Sequence, residues 1–318
     1  MRSSLEEGQT VVTLSELDLE RIRELRVRQP DVVAQAAAAR PRRSVDDDDG
    51  WFMLIAADHP ARGALAVRRD PMAMADRYEL LRRIVTALQR PGVDGVLGTA
   101  DVLEDLLLLG VLDDKVVIGS MNRGGLHGAS FELDDRFTGY DAETIAAMGF
   151  EGGKMLCRID MTDAGTVATL ESCARAVTAL GRRRLMAMVE PFISSRSSGR
   201  VANDLSAAAV IRSIAIASGL GATSGYTWLK LPVVDDMEQV MRATTLPTLL
   251  LGGDPAGSPD QTYAAWEKAL ALPGVRGLVI GRSLLYPPNH DVAGAVDTAA
   301  ALVRAARNAS APTSADGK

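Results

Sequence analysis

Eight short apolar segments recur along this chain from Trp51 onward, with helical stretches between them. The apolar segments are WFMLIAAD, VDGVLGT, KVVIGSM, GGKMLCRID, RRLMAMVEPF, YTWLKLPVV, LPTLLLGG and VRGLVIGR. The intervening stretches are amphipathic or alanine-rich, as in MADRYELLRRIVTALQ and DLSAAAVIRSIAIASGL. Continuous apolar strands that alternate with helices indicate a parallel sheet covered on both faces. Eight such strands favour closure into a (β/α)8 barrel, the TIM-barrel form of the α/β class.

An open, doubly wound sheet is the competing architecture. The first apolar segment is not followed by G-x-G-x-x-G, so nothing specific supports a dinucleotide-binding fold. At 318 residues and 47% hydrophobic content, the chain can bury the core of one large barrel. We therefore predict a barrel over residues 51–307, an N-terminal helical extension with its linker over 1–50, and a disordered tail over 308–318.

The N-terminal extension contains two predicted helices. Ser15 can cap the first helix with Asp18 at the third helical position, and Pro30 ends it. The alanine-rich segment DVVAQAAAAR predicts the second helix. The following PRRSVDDDDG is a charged linker, and its aspartates indicate a solvated turn in preference to a metal site.

Charge and cysteine content exclude several classes of protein. A net charge of −6 gives no basic footprint for nucleic acid. Cys157 and Cys173 are too few for a disulfide framework, and both occur in segments predicted to be buried. No apolar run of about 18 residues suggests a membrane span, and the polar first ten residues do not resemble a signal peptide. We expect a soluble, cytoplasmic protein.

Two lysines occupy segments that otherwise predict buried strands. Lys230 lies in GYTWLKLPVV and Lys154 in GGKMLCRID, although lysine accounts for only five of the 35 basic residues. Lysine is seldom fully buried without a partner, and an isolated buried charge is costly. These two positions therefore require a chemical explanation.

Polar residues collect where the predicted strands end, and in a closed barrel those ends build the active site. The candidates are Asp58, His59 and Arg62 after the first strand, Lys154 on the fourth, Glu190 on the fifth, Lys230 on the sixth, Gly252 and Gly253 after the seventh, and Gly281 and Arg282 after the eighth. Two lysines and two carboxylates at one barrel end can neutralise one another. Simpler interpretations remain open: Lys154 and Glu190 as a structural ion pair, Asp58 as a loop cap, and Lys230 as an ammonium group held by a carboxylate.

Imine chemistry explains the buried lysines most directly. A desolvated lysine beside another cation loses its proton more readily and becomes a nucleophile that condenses with a ketone or aldehyde. The resulting protonated Schiff base accepts electrons during carbon–carbon cleavage. Glycines at the ends of the seventh and eighth strands, with Arg282 nearby, are typical of a phosphate site in such barrels.

The same segments resemble the class I, Schiff-base aldolases of the deoxyribose-phosphate and tagatose-bisphosphate aldolase superfamily. AADHPARGAL, GGKMLCRID, VEPF, WLKLP, LLLGGD and VIGRSL carry the resemblance from about Trp51 to Tyr286. The match is closer to the tagatose-bisphosphate type, because the deoxyribose-phosphate branch has a second lysine on strand seven that this chain lacks. The tagatose type usually has Asp-Gln-Arg-Gly on strand one, whereas DHPARG inserts residues before Arg62.

The resemblance implies a reversible retro-aldol lyase acting on a phosphorylated ketose or keto-sugar acid. Lys230 would form the imine, Glu190 would shuttle protons, Asp58 would deprotonate the hydroxyl, and Lys154 would lower the pKa of Lys230. No cofactor or metal is expected. Candidate substrates include fructose- or tagatose-type phosphates and the deoxy-keto-gluconate phosphate of inositol breakdown.

Two rival functions belong to other classes. A metal-dependent aldolase or isomerase could use His59 and His127, although three histidines in the chain form no ligand-spaced cluster. A non-catalytic barrel could instead bind a sugar phosphate, but it would not need four polar strand residues. We expect a small sugar phosphate as the partner, with neither nucleic acid nor membrane, and a homo-oligomer is possible.

Overall fold

Eight parallel strands close into a barrel in the computed structural model, which describes residues 14–43, 49–122, 125–197, 199–253 and 257–310. The strands are β1 Phe52–Ala56, β2 Gly95–Gly98, β3 Val116–Ser120, β4 Gly152–Ile159, β5 Met186–Ser197, β6 Arg200–Asn203, β7 Thr227–Pro232, β8 Thr248–Leu251 and β9 Val275–Ile280. The order is β4-β3-β2-β1-β9-β8-β7-β5, and pairing of β4 with β5 closes the ring. The predicted (β/α)8 barrel is confirmed. Seven of the eight apolar segments contain a whole barrel strand, and the fifth contains the first part of β5.

Helices surround the barrel and precede it. They are α1 Glu16–Arg28, α2 Val32–Ala39, α3 Arg77–Leu88, α4 Ala100–Leu108, α5 Ala142–Ala147, α6 Gly165–Arg182, α7 Ala207–Ser218, α8 Met237–Met241, α9 Pro259–Leu270, α10 Arg282–Leu285 and α11 Val292–Ser310. A single 3-10 turn, Pro60–Arg62, follows β1. Each larger barrel helix buries one apolar face, as in α3, where seven of twelve residues are buried. None of the described helices has the length and apolar character needed to cross a membrane.

β6 is an element that the sequence patterns did not predict. It pairs antiparallel with the outer part of β5, from Ser194 opposite Asn203 to Ser197 opposite Arg200. Gly199, at φ 77°, lies in the turn between the two arms, where glycine adopts this backbone conformation without a steric penalty. The predicted fifth strand ended at Phe192, whereas β5 continues five residues further to build this hairpin.

The barrel interior is filled with apolar side chains below the carboxyl-terminal end. Phe52, Leu54 and Ala56 point inward from β1 and pack with inward residues of the other strands. Those partners are Leu97, Val116, Ile118, Met186, Met188, Leu249 and Val279, all buried. Such layers make the centre of the barrel a solid core, so that a ligand can bind only beyond it.

The N-terminal extension packs on the outer helices and then reaches the amino-terminal end of the barrel. Arg26 of α1 pairs with Glu104 and Asp105 of α4. α1 begins with the predicted capping box between Ser15 and Asp18. Arg40, just after α2, is buried and donates to Glu151 Oε1 at 3.0 Å and to the carbonyl oxygen of Gly149 at 2.6 Å. Since Glu151 immediately precedes β4, this ion pair fixes the extension to the end opposite the strand carboxyl termini.

The C-terminal helix is longer than predicted, and the two cysteines are as predicted. α11 continues through Ser310, so residues 308–310, assigned to a disordered tail, belong to the last helix. Residues 311–318 lie outside the described residues, as do 1–13 and most of the aspartate linker, 44–48. Both cysteines are free and buried, as predicted.

Candidate active site

Four charged side chains enter the barrel through the period-two alternation of the strands. Lys154 on β4, Glu190 on β5 and Lys230 on β7 each lie two residues beyond an inward-facing position of the same strand. Asp58 follows the end of β1 on the same inward side as Ala56. Parallel strands bring these positions together at one end of the barrel. Asp58 and Lys230, which are 172 residues apart in the sequence, therefore lie in one site.

The four side chains form a continuous chain of contacts, hereafter the Asp58–Lys154–Glu190–Lys230 array. Lys154 Nζ donates to Asp58 Oδ2 at 2.9 Å and lies 2.7 Å from Glu190 Oε2. Lys230 Nζ donates to the same Glu190 oxygen at 3.1 Å. The lysine side chains are 4% and 5% exposed, so the array is almost completely removed from water.

The carboxylates hold Lys154 in its charged form. Burial alone would lower the pKa of Lys154, but Asp58 and Glu190 more than compensate and raise it above its ordinary value. Burial favours the neutral form of both acids too, yet the neighbouring lysines reverse this preference. The pKa of Glu190 falls to about 2, and that of Asp58 falls well below its usual range. Lys154 is therefore a fixed cation between two fixed anions.

Lys230 behaves differently from Lys154 because it contacts one carboxylate of the array, where Lys154 contacts two. Burial lowers its pKa, Glu190 opposes that change, and the positive charge of Lys154 adds to the lowering. The net direction is downward from the ordinary lysine value. The neutral amine, which is the form that attacks a carbonyl group, therefore forms more easily at Lys230 than at an ordinary lysine.

His59 lies beside this array without a hydrogen bond from its Nδ1 atom. Its Nδ1 is 3.8 Å from Asp58 Oδ1. Burial lowers the pKa of His59 to about 3; Asp58 opposes this effect, and the positive charges of Arg282, Lys230 and Lys154 reinforce it. The imidazole is consequently neutral throughout the physiological pH range.

A cavity of about 690 Å³ opens above the array. All ten residues that the sequence proposed for the site line it, namely Asp58, His59, Arg62, Lys154, Glu190, Lys230, Gly252, Gly253, Gly281 and Arg282. Its volume lies within the range of small-molecule sites in proteins. Their convergence shows one concave site at the strand carboxyl termini, while the chemical role of each residue remains a proposal.

The glycine side of the cavity requires the absence of side chains. A Cβ atom at Gly281 would lie 2.5 Å from the carbonyl oxygen of Ala56, and one at Gly252 would lie 2.9 Å from Ile280 Cγ2. Gly253 has φ 64°, a conformation that favours glycine, and a Cβ there would meet no atom within 4 Å. Backbone is therefore accessible to a ligand on this side, next to Arg282. Asp254, the next residue, lies outside the described residues.

Arg62 lies at another part of the cavity wall and contacts a buried ionic cluster. Its Nη2 atom is 3.8 Å from Glu132 Oε1, which accepts a 2.7 Å hydrogen bond from Arg158 Nη1. Arg158 and Glu132 are both buried. One carboxylate thus faces two guanidinium groups, and the negative charge of Asp135 also acts on Arg158, so two positive charges meet two negative ones.

Several wall residues were not identified from the sequence. Leu156, Phe192 and Leu251 form a small apolar cluster at the level just beyond the array. Asn203 and Leu205 come from the β6 arm and the loop after it, and α9 contributes Gln261, Thr262, Ala265 and Trp266. The period-two pattern could have indicated the first three, since each lies two residues beyond an inward position. The hairpin residues had no comparable apolar pattern.

The two histidines proposed for a rival metal site line the same cavity. His59 and His127 come from the loops after β1 and β3, and the backbone N–H of His127 donates to the carbonyl oxygen of Arg62 at 2.9 Å. Within the described ranges, no group of three or more His, Cys, Asp or Glu side chains is arranged to hold a metal ion. The carboxylates nearest His59 belong to the array and already hold lysines.

Solved structures with similar folds include aldolases. An archaeal fructose 1,6-bisphosphate aldolase is 18% identical, covers 86% of this chain and 99% of its own, and has a TM-score of 0.59. The fructose-bisphosphate aldolase from Slackia heliotrinireducens is 13% identical over 96% of both chains, with a TM-score of 0.60. In another archaeal aldolase structure, the catalytic lysine is covalently bound to the carbinolamine intermediate of the substrate. At these identities the comparison establishes the shared barrel fold.

A much nearer structural relative is Cgl0159 from Corynebacterium glutamicum (Brevibacterium flavum). It is 56% identical, covers 92% of this chain and 98% of its own, and has a TM-score of 0.89. No curated protein sequence matches the chain. The sequence model described as Cgl0159-like matches residues 50–300, which include every strand of the barrel. The chain therefore belongs to the Cgl0159-like family.

Proposed function

We propose that this protein is a class I aldolase that cleaves a phosphorylated ketose or keto-sugar acid through a Schiff base on Lys230. The observation that carries the proposal is the array itself. Lys230 and Lys154 share one oxygen of Glu190, and the environment lowers the pKa of Lys230 while raising that of Lys154. An array that served only to pair charges would have no need for this difference between the two lysines.

The first chemical step is attack of the neutral Lys230 amine on the substrate carbonyl. The tetrahedral carbinolamine must then lose its hydroxyl group as water, which requires a proton on that hydroxyl. Glu190 is ionised in the free site. It must therefore first accept a proton from the carbinolamine nitrogen, once solvent has protonated the alkoxide, and then pass that proton to the hydroxyl as the nitrogen lone pair expels water. Glu190 is placed for this transfer because its Oε2 contacts Lys230. Its second oxygen, Oε1, has no ion-pair or hydrogen-bond partner among the described residues, and Glu190 lines the cavity. Glu190 can therefore carry protons during dehydration and during hydrolysis of the imine.

Lys154 would remain charged and hold the other three side chains of the array in their required positions and charge states. Its contacts with Asp58 and Glu190 fix both carboxylates, and its positive charge disfavours a second ammonium group at Lys230. The protonated imine that follows is an electron sink, so cleavage of the carbon–carbon bond can proceed once a substrate hydroxyl loses its proton. We assign removal of that proton to the Asp58 end of the array.

The substrate phosphate would bind against Gly252, Gly253, Gly281 and Arg282. The glycines leave backbone N–H groups without a neighbouring side chain, and Arg282 adds a guanidinium group. Such surfaces hold phosphate in barrels of this fold. Arg62, on another part of the cavity wall, would meet the opposite end of the substrate, where it can contact a hydroxyl or an anionic group. The solved aldolases with this fold act on a bisphosphate sugar, which is consistent with a substrate charged at two ends.

Trapping with borohydride tests the proposal. Purified enzyme is incubated separately with each of a panel of phosphorylated ketoses and keto-sugar acids, and release of a three-carbon product is measured. Borohydride is then added to the active mixtures to reduce the imine between enzyme and substrate. We expect a covalent adduct that peptide mass mapping places on Lys230. Lys230→Arg retains the charge and cannot form an imine, so it should abolish both turnover and adduct. Lys268→Arg, at an exposed position of α9, is the matched control and should behave as wild type.

Two outcomes would contradict the proposal. Adduct formation on Lys154, or near-normal turnover by Lys230→Arg, would reject Lys230 as the nucleophile. Turnover with no adduct on any lysine would reject the imine mechanism and favour the metal-dependent rival.

A further inference from the structure

His59 is a partly buried titratable group that the steps above leave without a role. It lies in the cavity wall between Asp58 and the glycine–Arg282 side. Its ring packs where Gly281 has no side chain, since a Cβ atom at Gly281 would be 3.0 Å from His59 Cε1. The chain therefore leaves space for an imidazole next to the catalytic carboxylate.

The two ring nitrogens have different surroundings. Nδ1 is enclosed, has no hydrogen-bond partner among the described residues, and faces Asp58 Oδ1 at 3.8 Å. Asp58 Oδ1 is available to it because Lys154 occupies the other oxygen, Oδ2. The side chain is still 22% exposed and lines the cavity, and Nε2, unlike Nδ1, is not among the enclosed atoms that lack a partner.

From this placement we propose that His59 is a further catalytic residue, whose Nε2 atom takes the proton from the substrate hydroxyl while Nδ1–H donates to Asp58. The inference rests on the proposed aldolase function and specifies how the Asp58 end of the array works. A shift of about 1 Å would bring Nδ1 and Asp58 Oδ1 within hydrogen-bond distance. Catalytic hydrogen bonds are often this long before substrate binds and shorten in the complex.

Asp58 is a poor base on its own. Lys154 holds it at 2.9 Å and keeps its pKa well below the usual range, so it gives little driving force for accepting a proton. A carboxylate in this state is better suited to fix the tautomer of an imidazole and to stabilise the imidazolium that forms. The arrangement follows the same logic as other base–carboxylate pairs in enzymes.

The charge that the substrate brings would activate His59. In the free enzyme burial lowers its pKa, Asp58 raises it, and Arg282, Lys230 and Lys154 lower it further. A phosphate group bound beside Arg282 offsets that guanidinium charge and makes protonation of the ring easier. His59 would consequently gain basicity in the substrate complex, at the stage when a base is required.

The step balances without any external reagent. His59 Nε2 removes the hydroxyl proton, and the O–H electron pair becomes the carbonyl bond of the departing aldehyde. The carbon–carbon bond breaks, and its electron pair forms the enamine double bond as the iminium nitrogen becomes neutral. Imidazolium and Asp58 carboxylate remain as an ion pair until the proton returns to the enamine carbon or to water.

The test separates cleavage from imine formation. His59→Ala should lower the cleavage rate by about 10²- to 10⁴-fold, the usual contribution of a general base. Borohydride trapping on Lys230 should continue in this variant, because imine formation does not use His59. Added imidazole should restore part of the cleavage rate, and substituted imidazoles should restore it in proportion to their basicity. His290→Asn is the control, since His290 is exposed and its φ of 59° suits asparagine.

Two results would overturn the inference while leaving the Schiff base intact. One is a His59→Ala cleavage rate within about tenfold of wild type. The other is a large loss of rate that imidazole does not change, which would assign the ring to substrate binding. His59→Gln serves if the alanine variant does not fold, and a normal cleavage rate in His59→Gln would equally overturn it. Failure to trap an adduct in the wild type would instead reject the Schiff-base mechanism on which this inference rests.

Discussion

Lys154 and Lys230 contact the same carboxylate oxygen, Glu190 Oε2, at 2.7 and 3.1 Å, yet their pKa values move in opposite directions. Contact geometry explains the difference. Lys154 has a second anion, Asp58, at 2.9 Å, whereas Lys230 has Glu190 on one side and the positive charge of Lys154 close by. The two carboxylates therefore outweigh the effect of burial on the pKa of Lys154, whereas at Lys230 the effect of burial prevails.

Replacing Lys154 by methionine should move the activity profile to higher pH. Without the neighbouring cation, Glu190 pairs with Lys230 alone and the pKa of Lys230 rises, so a smaller fraction of the amine is neutral at pH 7. We expect the alkaline-rising limb of kcat to shift to higher pH, with turnover reduced at pH 7 and partly recovered at higher pH. Turnover measured from pH 6 to 10 checks this, and an unshifted limb would mean that Lys154 does not control Lys230.

Arg282→Ala should weaken binding of phosphorylated substrate. Arg282 lines the cavity beside Gly252 and Gly281, and a charge-assisted hydrogen bond contributes about 1.5–3 kcal/mol. The KM for phosphorylated substrate should rise by roughly tenfold or more, with a smaller effect on any unphosphorylated analogue. Arg212→Ala, at an exposed position of α7, is the matched control. A normal KM, together with phosphate bound elsewhere in a soaked crystal, would contradict this placement of the phosphate.

Much of this site could be predicted from the sequence because closure of the barrel is a strong geometric constraint. Once eight apolar segments are assigned to parallel strands, the residues at their ends must converge, and the ten proposed residues line one cavity. The roles assigned to those residues remain untested predictions. The tagatose-bisphosphate subtype also remains a prediction, since the similar aldolase folds are fructose-bisphosphate enzymes.

Other features of the site could not be predicted because they depend on contacts between loops. Beyond Phe192, the segment ISSRSSGRVAND is polar on both faces, so no alternation indicated the hairpin that brings Asn203 to the cavity. Glu132 lies in a loop after β3 without a strand pattern, and its buried contact with Arg158 was not anticipated. The sharing of one Glu190 oxygen by two lysines depends on side-chain conformations that no spacing specifies.

Activity should survive chelating agents. The proposed mechanism uses the imine as its electron sink, and among the described residues no three His, Cys, Asp or Glu side chains are arranged to hold a metal ion. We expect unchanged turnover after prolonged incubation with EDTA and removal of the chelator. Complete loss of activity that zinc or another divalent ion restores would favour the metal-dependent rival.

Glu190 should contribute to stability in a pH-dependent way. Its pKa is lowered to about 2 in the folded protein, below its ordinary value of 4.5, so it stabilises the fold above pH 4.5. That contribution is lost as the pH falls through about 2, where the carboxyl group becomes protonated. The difference in unfolding free energy between wild type and Glu190→Gln should therefore shrink between pH 4.5 and 2. Glu267→Gln, on the exposed face of α9, should show no such dependence, and a constant difference for Glu190→Gln would reject the assigned pKa.

Arg40→Met should destabilise the barrel without changing its chemistry. Arg40 and Glu151 are buried at the end opposite the cavity, with side chains 1% and 2% exposed. Methionine leaves the Glu151 carboxylate with one longer ion pair, 3.4 Å to the half-exposed Arg42, and the Val117 N–H. Removing one partner of a buried pair costs about 3–5 kcal/mol, and we expect that loss in denaturant unfolding with kcat retained. The double variant Arg40→Met/Glu151→Gln should recover part of the stability, because a glutamine can still accept the hydrogen bond from the Val117 N–H. Arg28→Met, at a position 74% exposed, should have little effect. If Arg40→Met were as stable as wild type, the N-terminal extension would not be fixed to the barrel through this ion pair.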